Sequence, residues 1–259
     1  MTDGLAGDQQ EVVQGAYGVV GAGVPLIGGS AGDDLQMTMT FQRYDDQVLT
    51  DAVVAAGIAS DAPLGIGVRH GWRRVGEPML VTRSSGNRVY TLDDRPALDV
   101  DLKHIGPGIT GKPGTEESFP RLALTHPFGV GRPSGEEQVR FIGDADFTDG
   151  SLRCIAQIPQ GALVWTMEGD ADSVLAATDA ACRDALAALD GRPPLGMLAL
   201  DWIARRGVLG GQGIHTEIQR LALIAEQVPV AGFYTYGEIA RTRGMRGFHN
   251  QTLVVLSIS

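Results

Sequence analysis

The chain has 259 residues, of which 43% are hydrophobic and 20% charged, and its formal net charge is −10. This balance is typical of a globular protein with an ordinary core and excludes a disordered chain. Because nucleic acids are bound by basic faces, the acidity argues against a nucleic-acid partner. No run approaches ~18 consecutive apolar residues and no basic-then-apolar leader is visible, so we expect a cytoplasmic protein without a membrane partner.

The first half of the chain is predicted to be rich in strands. Apolar residues at helical spacing predict one opening helix over 10–21. Short apolar or alternating runs between turn residues predict strands. These are 24–29, 37–44 with 48–59 as a hairpin, 64–72, and 78–92 folded back at 84–87.

A helix is predicted over 93–106, where Asp94 can act as the N-cap and Pro96 suits the first turn. The turn-rich segment 106–118 is expected to be an exposed loop or a domain boundary. Short strands separated by turn residues then predict a β meander over 119–167.

The second half alternates helices and strands. Residues 170–191 form the strongest predicted helix, with Asp172 or Ser173 as its N-cap. It is followed by a strand at 194–204, a helix at 214–228 and strands at 229–239 and 248–259. This order predicts an α/β chain of the mixed α+β kind, built in two parts, in which mixed β-sheets pack against helices.

Two motifs with recognised chemistry are incomplete in this chain. GGSAG (28–32) matches the nucleophile elbow of hydrolases, which needs a helix after the serine, but the next segment alternates like a strand. A hydrolase that uses Ser30 is therefore the weaker alternative. GPGITGKP (106–113) is close to a phosphate-binding loop, but Pro113 stands where Ser or Thr must bind magnesium.

The cysteines and histidines give no metal-site pattern. Cys154 and Cys182 lack CxxC spacing and are predicted to pack in the core as reduced thiols. The five histidines form neither HxH nor HxxxH pairs. We therefore predict no metal site, and no residue is assigned a catalytic role.

Arg205 and Arg206 follow the predicted buried strand 194–204 and precede a Gly-rich turn. Ligands of open α/β sheets bind outside the carboxyl ends of the strands, and an arginine there can hold a carboxylate or a phosphate. A surface arginine or a structural ion pair is the alternative.

The stretch 232–252, GFYTYGEIARTRGMRGFHNQT, has the highest density of hydrogen-bonding side chains in the chain. Strand alternation sends Tyr234 and Tyr236 to one face and Thr235 to the other. Four further polar side chains are Glu238, His249, Asn250 and Thr252. Because buried polar groups need partners, these side chains either bond one another or bond a ligand, and the residue types leave both readings open.

Several long motifs occur in a fixed order along the chain. They are VPLIGGSAGDD (24–34), PLGIGVRHGW (63–72), RPALDV (95–100), DGSLRCIAQIPQGALV (149–164), LDWIARR (200–206), GFYTYGEIA (232–240) and GFHNQTL (247–253). Together they resemble the FIST family of sensory domains, from about Val24 to Leu256.

The resemblance implies the C-terminal portion of a FIST-N domain at 1–93 and a FIST-C domain at 94–259. It implies intracellular sensing of a small ligand such as an amino acid. The partners that it implies are histidine kinases, chemoreceptors or cyclic-dinucleotide enzymes. A haem-binding nitric-oxide sensor is the alternative within the same family.

Two departures from the family pattern bear on the site. About two dozen residues precede GGSAGDD, where family members have a substantial further segment, so we expect a shortened FIST-N part. A strand edge beside 24–29 or 37–41 would then be open to another chain, which predicts a homodimer or aggregation. Trp202 stands where the family often has Cys, so no thiol role is carried over, whereas Arg205 matches.

The predicted ligand-binding residues are Ser30, Asp33, Arg205, Tyr234, Tyr236, Glu238, His249, Asn250 and Thr252. For an amino-acid-like ligand, Arg205 would bind the carboxylate, Glu238 the ammonium group, and Asn250 would fix the orientation. The alternative is an Arg205–Glu238 ion pair that ties two strand ends together.

No cofactor is expected, and haem is predicted not to bind tightly. An axial haem ligand needs a histidine in an apolar pocket. His249 lies among polar side chains, and His126 precedes Pro127 in a turn-prone stretch.

Overall fold

The computed structural model describes residues 1–105, 119–131, 138–225, 228–241 and 247–259. The predicted loop and phosphate-loop candidate at 106–118 lie outside these residues. The helices are α1 (Gln9–Val20), α2 (Ala97–Ile105), α3 (Phe119–Thr125), α4 (Ala171–Ala187) and α5 (Arg205–Ile224). The strands are β1 (Leu26–Gly29), β2 (Gln42–Tyr44), β3 (Gln47–Leu49), β4 (Leu64–Arg69), β5 (Arg73–Ser85), β6 (Arg88–Leu92), β7 (Arg95–Pro96), β8 (Phe128–Val130), β9 (Gln138–Arg140), β10 (Ile142–Asp146), β11 (Ser151–Cys154), β12 (Leu163–Glu168), β13 (Gly196–Trp202), β14 (Val230–Thr235), β15 (Glu238–Arg241), β16 (Phe248–His249) and β17 (Leu253–Ile258).

These elements confirm the predicted mixed α+β class. The chain divides into two compact units: the first unit is residues 1–71 with 171–259, and the second unit is residues 72–170. The domain boundary between residues 93 and 94 stays a prediction.

A four-stranded mixed sheet forms the centre of the first unit, in the order β14-β13-β17-β4. Strands β13 and β14 are parallel neighbours joined by α5, and β17 runs antiparallel to β13 and β4. The interior of β13 is a nearly continuous apolar run, with Met197, Leu200 and Trp202 all buried. Because parallel strands end at the same edge of a sheet, the residues after β13 and β14 come together.

Two glycines allow α4 to pack closely against β4. Gly65 and Gly67 alternate along β4, and a Cβ atom at either position would overlap the carbonyl oxygen of Ala185 or Ala181 in α4. The helix and the strand therefore meet through backbone atoms, which only glycine permits.

We expect Gly67→Ala to lower the free energy of unfolding by about 1–3 kcal/mol, because α4 or β4 must shift to admit the methyl group. Urea denaturation followed by circular dichroism measures the loss. Gly57→Ala is the matched control, since nothing lies within 4 Å of a Cβ atom there, and its effect should stay within about 0.5 kcal/mol. Equal losses in the two variants would contradict the close packing.

The predicted strand 229–239 is divided between two sheets. Strand β14 ends at Thr235, the chain turns at Tyr236 and Gly237, and β15 then joins a three-stranded sheet of order β1-β15-β16. Gly237 is required at the turn because a Cβ atom there would collide with the ring of Phe248. This turn brings the 26–29 segment beside 238–241, a pairing that the sequence did not predict.

The predicted hairpin is present but shorter than expected. Its first strand begins at Gln42, because Asp33 accepts hydrogen bonds from the backbone N–H groups of Met37, Thr38 and Met39. The backbone N–H groups of this loop therefore bond to a carboxylate, so they do not pair with a neighbouring strand.

The second unit is built on an eight-stranded antiparallel sheet. The order is β10-β11-β6-β5-β12-β8-β9, with β7 paired to β6. Both cysteines of the chain are buried and unbonded, as predicted, with Cys154 in the core of this unit and Cys182 in α4 of the first unit.

Three local predictions were wrong. Asp93 and Asp94 have left-handed φ angles of 48° and 59° and form the turn between β6 and β7, so Asp94 does not cap α2. Helix α4 already begins at Ala171, which places the predicted caps Asp172 and Ser173 inside its first turn.

The third error concerns α3, which lies within the predicted β meander. Its side chains Phe119, Leu122 and Ala123 are buried at i, i+3 and i+4, the spacing of one helix face. Pro120 occupies the first turn, where proline is tolerated. The apolar spacing and the early proline could both have been read from the sequence as signs of a helix.

No helix in the described part of the chain is both long and apolar enough to cross a membrane.

Candidate functional site

The polar residues of the predicted site gather at the carboxyl edge of the parallel strands. Asp201 pairs with Tyr234, and Trp202 with Thr235, in the last positions of β13 and β14. Arg205 follows β13 as the first residue of α5, and its side chain is 0% exposed. The prediction that Arg205 follows the end of a buried strand is confirmed.

Helix α5 begins earlier than predicted and is broken at Gly210, where φ is 63°. Glu217 is buried, whereas its neighbour Ile218 is 57% exposed. A carboxylate thus occupies the inner face of the helix, and a buried carboxylate needs a partner.

Arg205 is that partner. Its Nη2 atom lies 2.5 Å from Glu217 Oε1, and its Nε atom lies 2.8 Å from Asp201 Oδ1. Nη2 also donates to Thr178 Oγ1 in α4 at 2.8 Å. The guanidinium therefore holds Asp201 and Glu217, and the alternative ion pair with Glu238 is wrong.

Glu238 is fully buried, and its carboxylate accepts hydrogen bonds from two threonines. Thr235 Oγ1 donates to Oε1 at 2.5 Å, and Thr252 donates to Oε2 from Oγ1 at 2.6 Å and from its backbone N–H at 3.3 Å. Thr235 Oγ1 also contacts the carbonyl oxygen of Asp201 at 3.2 Å, which links Glu238 to the end of β13. We call Asp201, Arg205, Glu217 and Glu238 the carboxylate cluster.

The carboxylate cluster has more acidic than basic groups. Burial raises the pKa of Asp201 well above its ordinary value, even though Arg205 opposes the rise. Burial likewise raises the pKa of Glu238 to about 8, against hydrogen bonds from Thr235 and Thr252. At neutral pH the cluster therefore favours bound protons or a bound positive charge.

Tyr236 and Asp33 form a second contact between the predicted residues. The Tyr236 hydroxyl donates to Asp33 Oδ1 and accepts the backbone N–H of Leu35 at 2.6 Å. The Tyr236 hydrogen bond and the loop N–H groups hold the pKa of Asp33 well below its usual range. Gly4 and Gly32 admit the Tyr236 ring, because a Cβ atom at either would press on it.

Ser30 lies at the end of β1 without the surroundings of a catalytic serine. Its hydroxyl shares a 2.9 Å hydrogen bond with Thr2 Oγ1, and its backbone bonds to Gly237 and Tyr236. An irregular loop follows it in place of the helix that a nucleophile elbow needs.

Tyr234 lies beside a more exposed pair. The guanidinium of Arg206 stacks over its ring at 5.2 Å and forms an ion pair with Asp34 at 2.7 Å. Burial and then the charge of Asp201 raise the pKa of Tyr234 to about 12, so its hydroxyl remains a hydrogen-bond donor.

His249 and Asn250 have different surroundings. His249 pairs with Glu238 in the β15–β16 ladder, and its Nε2 atom lies 3.0 Å from the carbonyl oxygen of Ala240. Asn250 is 0% exposed, and neither Nδ2 nor Oδ1 has a hydrogen-bond partner among the described residues. A buried amide without partners is rare in proteins.

Sequence reasoning missed Asp201, Glu217, Thr178 and Thr235 as members of the site. Asp201 could have been noticed as the one charge inside the apolar strand LALDWIA. Glu217 could have been noticed as well, because it lies three residues after Ile214 and four before Leu221, on the apolar face of the predicted helix. Within the described ranges, no group of three or more His, Cys, Asp or Glu side chains is arranged to hold a metal ion.

Two family models match consecutive parts of the chain. The FIST N domain matches residues 1–95, and the FIST C domain matches residues 97–241. The chain belongs to the FIST family. FIST domains are sensory domains of signal transduction and are not a catalytic family.

Relatives of this FIST protein carry no stated activity. The uncharacterized proteins MT0656 and Rv0628c of Mycobacterium tuberculosis are each 26% identical to it over 234 residues, which is 89% of this chain and 60% of theirs. The chain thus spans less than two thirds of the length of these relatives. The uncharacterized protein MJ1623 of Methanocaldococcus jannaschii is 32% identical over 82 residues, 32% of this chain and 16% of its own. No solved structure matches the chain significantly.

Proposed function

We propose that this FIST protein is an intracellular sensory module that binds a small ligand with an amino group, such as an amino acid, at the carboxyl edge of β13 and β14. The observation that carries the proposal is Asn250, a fully buried amide whose nitrogen and oxygen both lack partners among the described residues. An unsatisfied buried donor or acceptor destabilises a fold by about 1–3 kcal/mol. A bound molecule that donates to Oδ1 and accepts from Nδ2 would remove that penalty.

The surroundings of Asn250 support a ligand with a positive charge. His249, its neighbour, is paired with Glu238, whose pKa burial raises to about 8. Asp201 belongs to the same cluster, and its pKa is raised as well. An ammonium group would offset the excess of carboxylates, whereas a second anion would add to it.

The charge balance also bears on the role proposed for Arg205. Its guanidinium already contacts Asp201 and Glu217 and is fully buried. We therefore propose that Arg205 holds Asp201 and Glu217 in place and does not bind the ligand itself. The ammonium group of the ligand is proposed to lie beside Glu238. The remaining predicted residues, Ser30, Asp33, Tyr234, Tyr236, His249 and Thr252, stay candidates for its walls.

The test is ligand-induced stabilisation of the wild type and of Asn250→Leu. A panel of amino acids, primary amines and carboxylic acids is added, and thermal unfolding is followed. We expect an amine or an amino acid to raise the melting temperature of the wild type, since a ligand at a hundred times its Kd adds about 2.7 kcal/mol. Carboxylic acids without an amino group should have no effect.

Asn250→Leu separates a ligand-binding amide from a structural one. Because the amide has no partner to lose among the described residues, the variant should be as stable as the wild type without ligand, and the ligand-induced shift should vanish. Asn87→Leu is the matched control: Asn87 Nδ2 donates to the carbonyl oxygen of Cys154 at 2.8 Å, so this variant should lose stability and keep the shift. No shift with any compound, or a large loss of stability in Asn250→Leu, would overturn the proposal.

The output of the module is proposed to reach a histidine kinase, a chemoreceptor or a cyclic-dinucleotide enzyme. This part rests on membership of a sensory family. Haem is left outside the proposal.

A further inference from the structure

The segment 35–48 presents an unusual series of apolar side chains to solvent. Each member of the series is between 53% and 68% exposed. The series consists of Leu35, Met37, Met39, Phe41, Tyr44 and Val48. We call it the apolar strip.

The exposure of the first half of the strip is imposed by hydrogen bonds. Asp33 accepts the N–H groups of Met37 and Met39, and the Tyr236 hydroxyl accepts that of Leu35. Leu35 and Met37 are held at left-handed φ angles of 66° and 54°, which bulky side chains rarely adopt. A conformation of this kind persists only where its surroundings enforce it, and such positions cluster at functional sites.

The second half of the strip lies on a sheet with open edges. Strands β2 and β3 pair with each other and with no other described strand. Tyr44 and Val48 stand on this hairpin and are exposed. Unpaired N–H and C=O groups along such an edge are a template for pairing with another chain.

We propose that a second copy of this chain docks on the apolar strip about a two-fold axis, with the β2–β3 hairpins of the two copies side by side. Six large side chains that are each more than half exposed amount to roughly several hundred Å², which approaches the ~800 Å² per partner of a standard interface. A two-fold interface is self-complementary, and an edge strand meets the same edge of a second copy without any further surface. The two methionines adapt readily to such a contact.

Sedimentation equilibrium over a wide range of protein concentration tests the proposal. We expect a concentration-dependent dimer for the wild type and a monomer for the double variant Met37→Ser, Phe41→Ser. The matched control is Leu195→Ser with Leu223→Ser, at positions that are 68% and 76% exposed but lie outside the strip. This control should dimerise as the wild type does. A monomeric wild type, a dimeric strip variant or a monomeric control would each overturn the proposal.

Hydrogen exchange of the wild type at low and high concentration gives a second readout that needs no variant. Amides of 35–49 should gain protection as the dimer forms, while those of the exposed 55–61 segment stay unchanged. Dimerisation without protection of 35–49 would place the interface elsewhere and reject the apolar strip. Both readouts are independent of any ligand, so their failure is distinguishable from failure of the sensory proposal.

Discussion

Arg205→Ala is expected to lower the free energy of unfolding by about 3–5 kcal/mol, because it leaves buried carboxylates without their counter-charge. Arg205 is 0% exposed and contacts Asp201 at 2.8 Å and Glu217 at 2.5 Å. Removing it would also take the Nη2 donor from Thr178 Oγ1. Urea denaturation at neutral pH measures the change.

Arg206→Ala is the matched control, one residue away on the same helix. Arg206 is 41% exposed in its side chain and pairs with Asp34, which is 72% exposed. Exposed pairs of this kind contribute at most about 1 kcal/mol. If Arg205→Ala were no more destabilising than Arg206→Ala, the carboxylate cluster would not be buried as the structure has it.

The second large effect concerns Glu238 and pH. Burial raises its pKa from an ordinary value of 4.5 to about 8, so between these values the folded protein binds a proton that the unfolded chain does not. Folding stability from this group is therefore fully present below pH 4.5 and is lost as pH rises through 8. The expected slope for one group is about −1.4 kcal/mol per pH unit, and Asp201 adds to it in the same direction.

Glu238→Gln should remove the contribution of this group. The amide can accept from Thr252 through its oxygen and donate to Thr235 Oγ1 through its nitrogen, while Thr235 donates to the carbonyl oxygen of Asp201. We expect the variant to resemble the wild type near pH 5 and to exceed its stability near pH 8 by on the order of 3 kcal/mol. Urea midpoints across this pH range measure both curves.

Glu77→Gln, at an exposed position of β5, is the control for the loss of a glutamate and should retain the wild-type slope. Parallel curves for the wild type and Glu238→Gln would show that Glu238 is ionised in the folded protein across the whole range. That result would also remove the main support for a positively charged ligand.

Much of the secondary structure was predictable, because it depends on neighbours in the sequence. The helical spacing of 10–21 and 170–191 and the apolar run of 194–204 correspond to α1, α4 and β13. The same reasoning placed Arg205 after the end of a buried strand. Errors arose where a side chain competed with a strand for backbone donors, as when the Asp33 carboxylate bound the N–H groups that would have extended β2.

The sequence by itself determined the mixed α+β class, the family and most of the residues that gather at the carboxyl edge of β13 and β14. Only the tertiary structure decided their partners. Arg205 is bound by Asp201 and Glu217 because Glu217 lies on the buried face of α5, and Glu238 is bound by threonines because β15 leaves the four-stranded sheet at Gly237. Within the part of the chain that the structure describes, the Asn250 amide has no hydrogen-bond partner. Hydrogen bonding and burial depend on which segments meet in space, and residues such as Tyr236 and Asp33, 203 positions apart, meet only after the chain has folded.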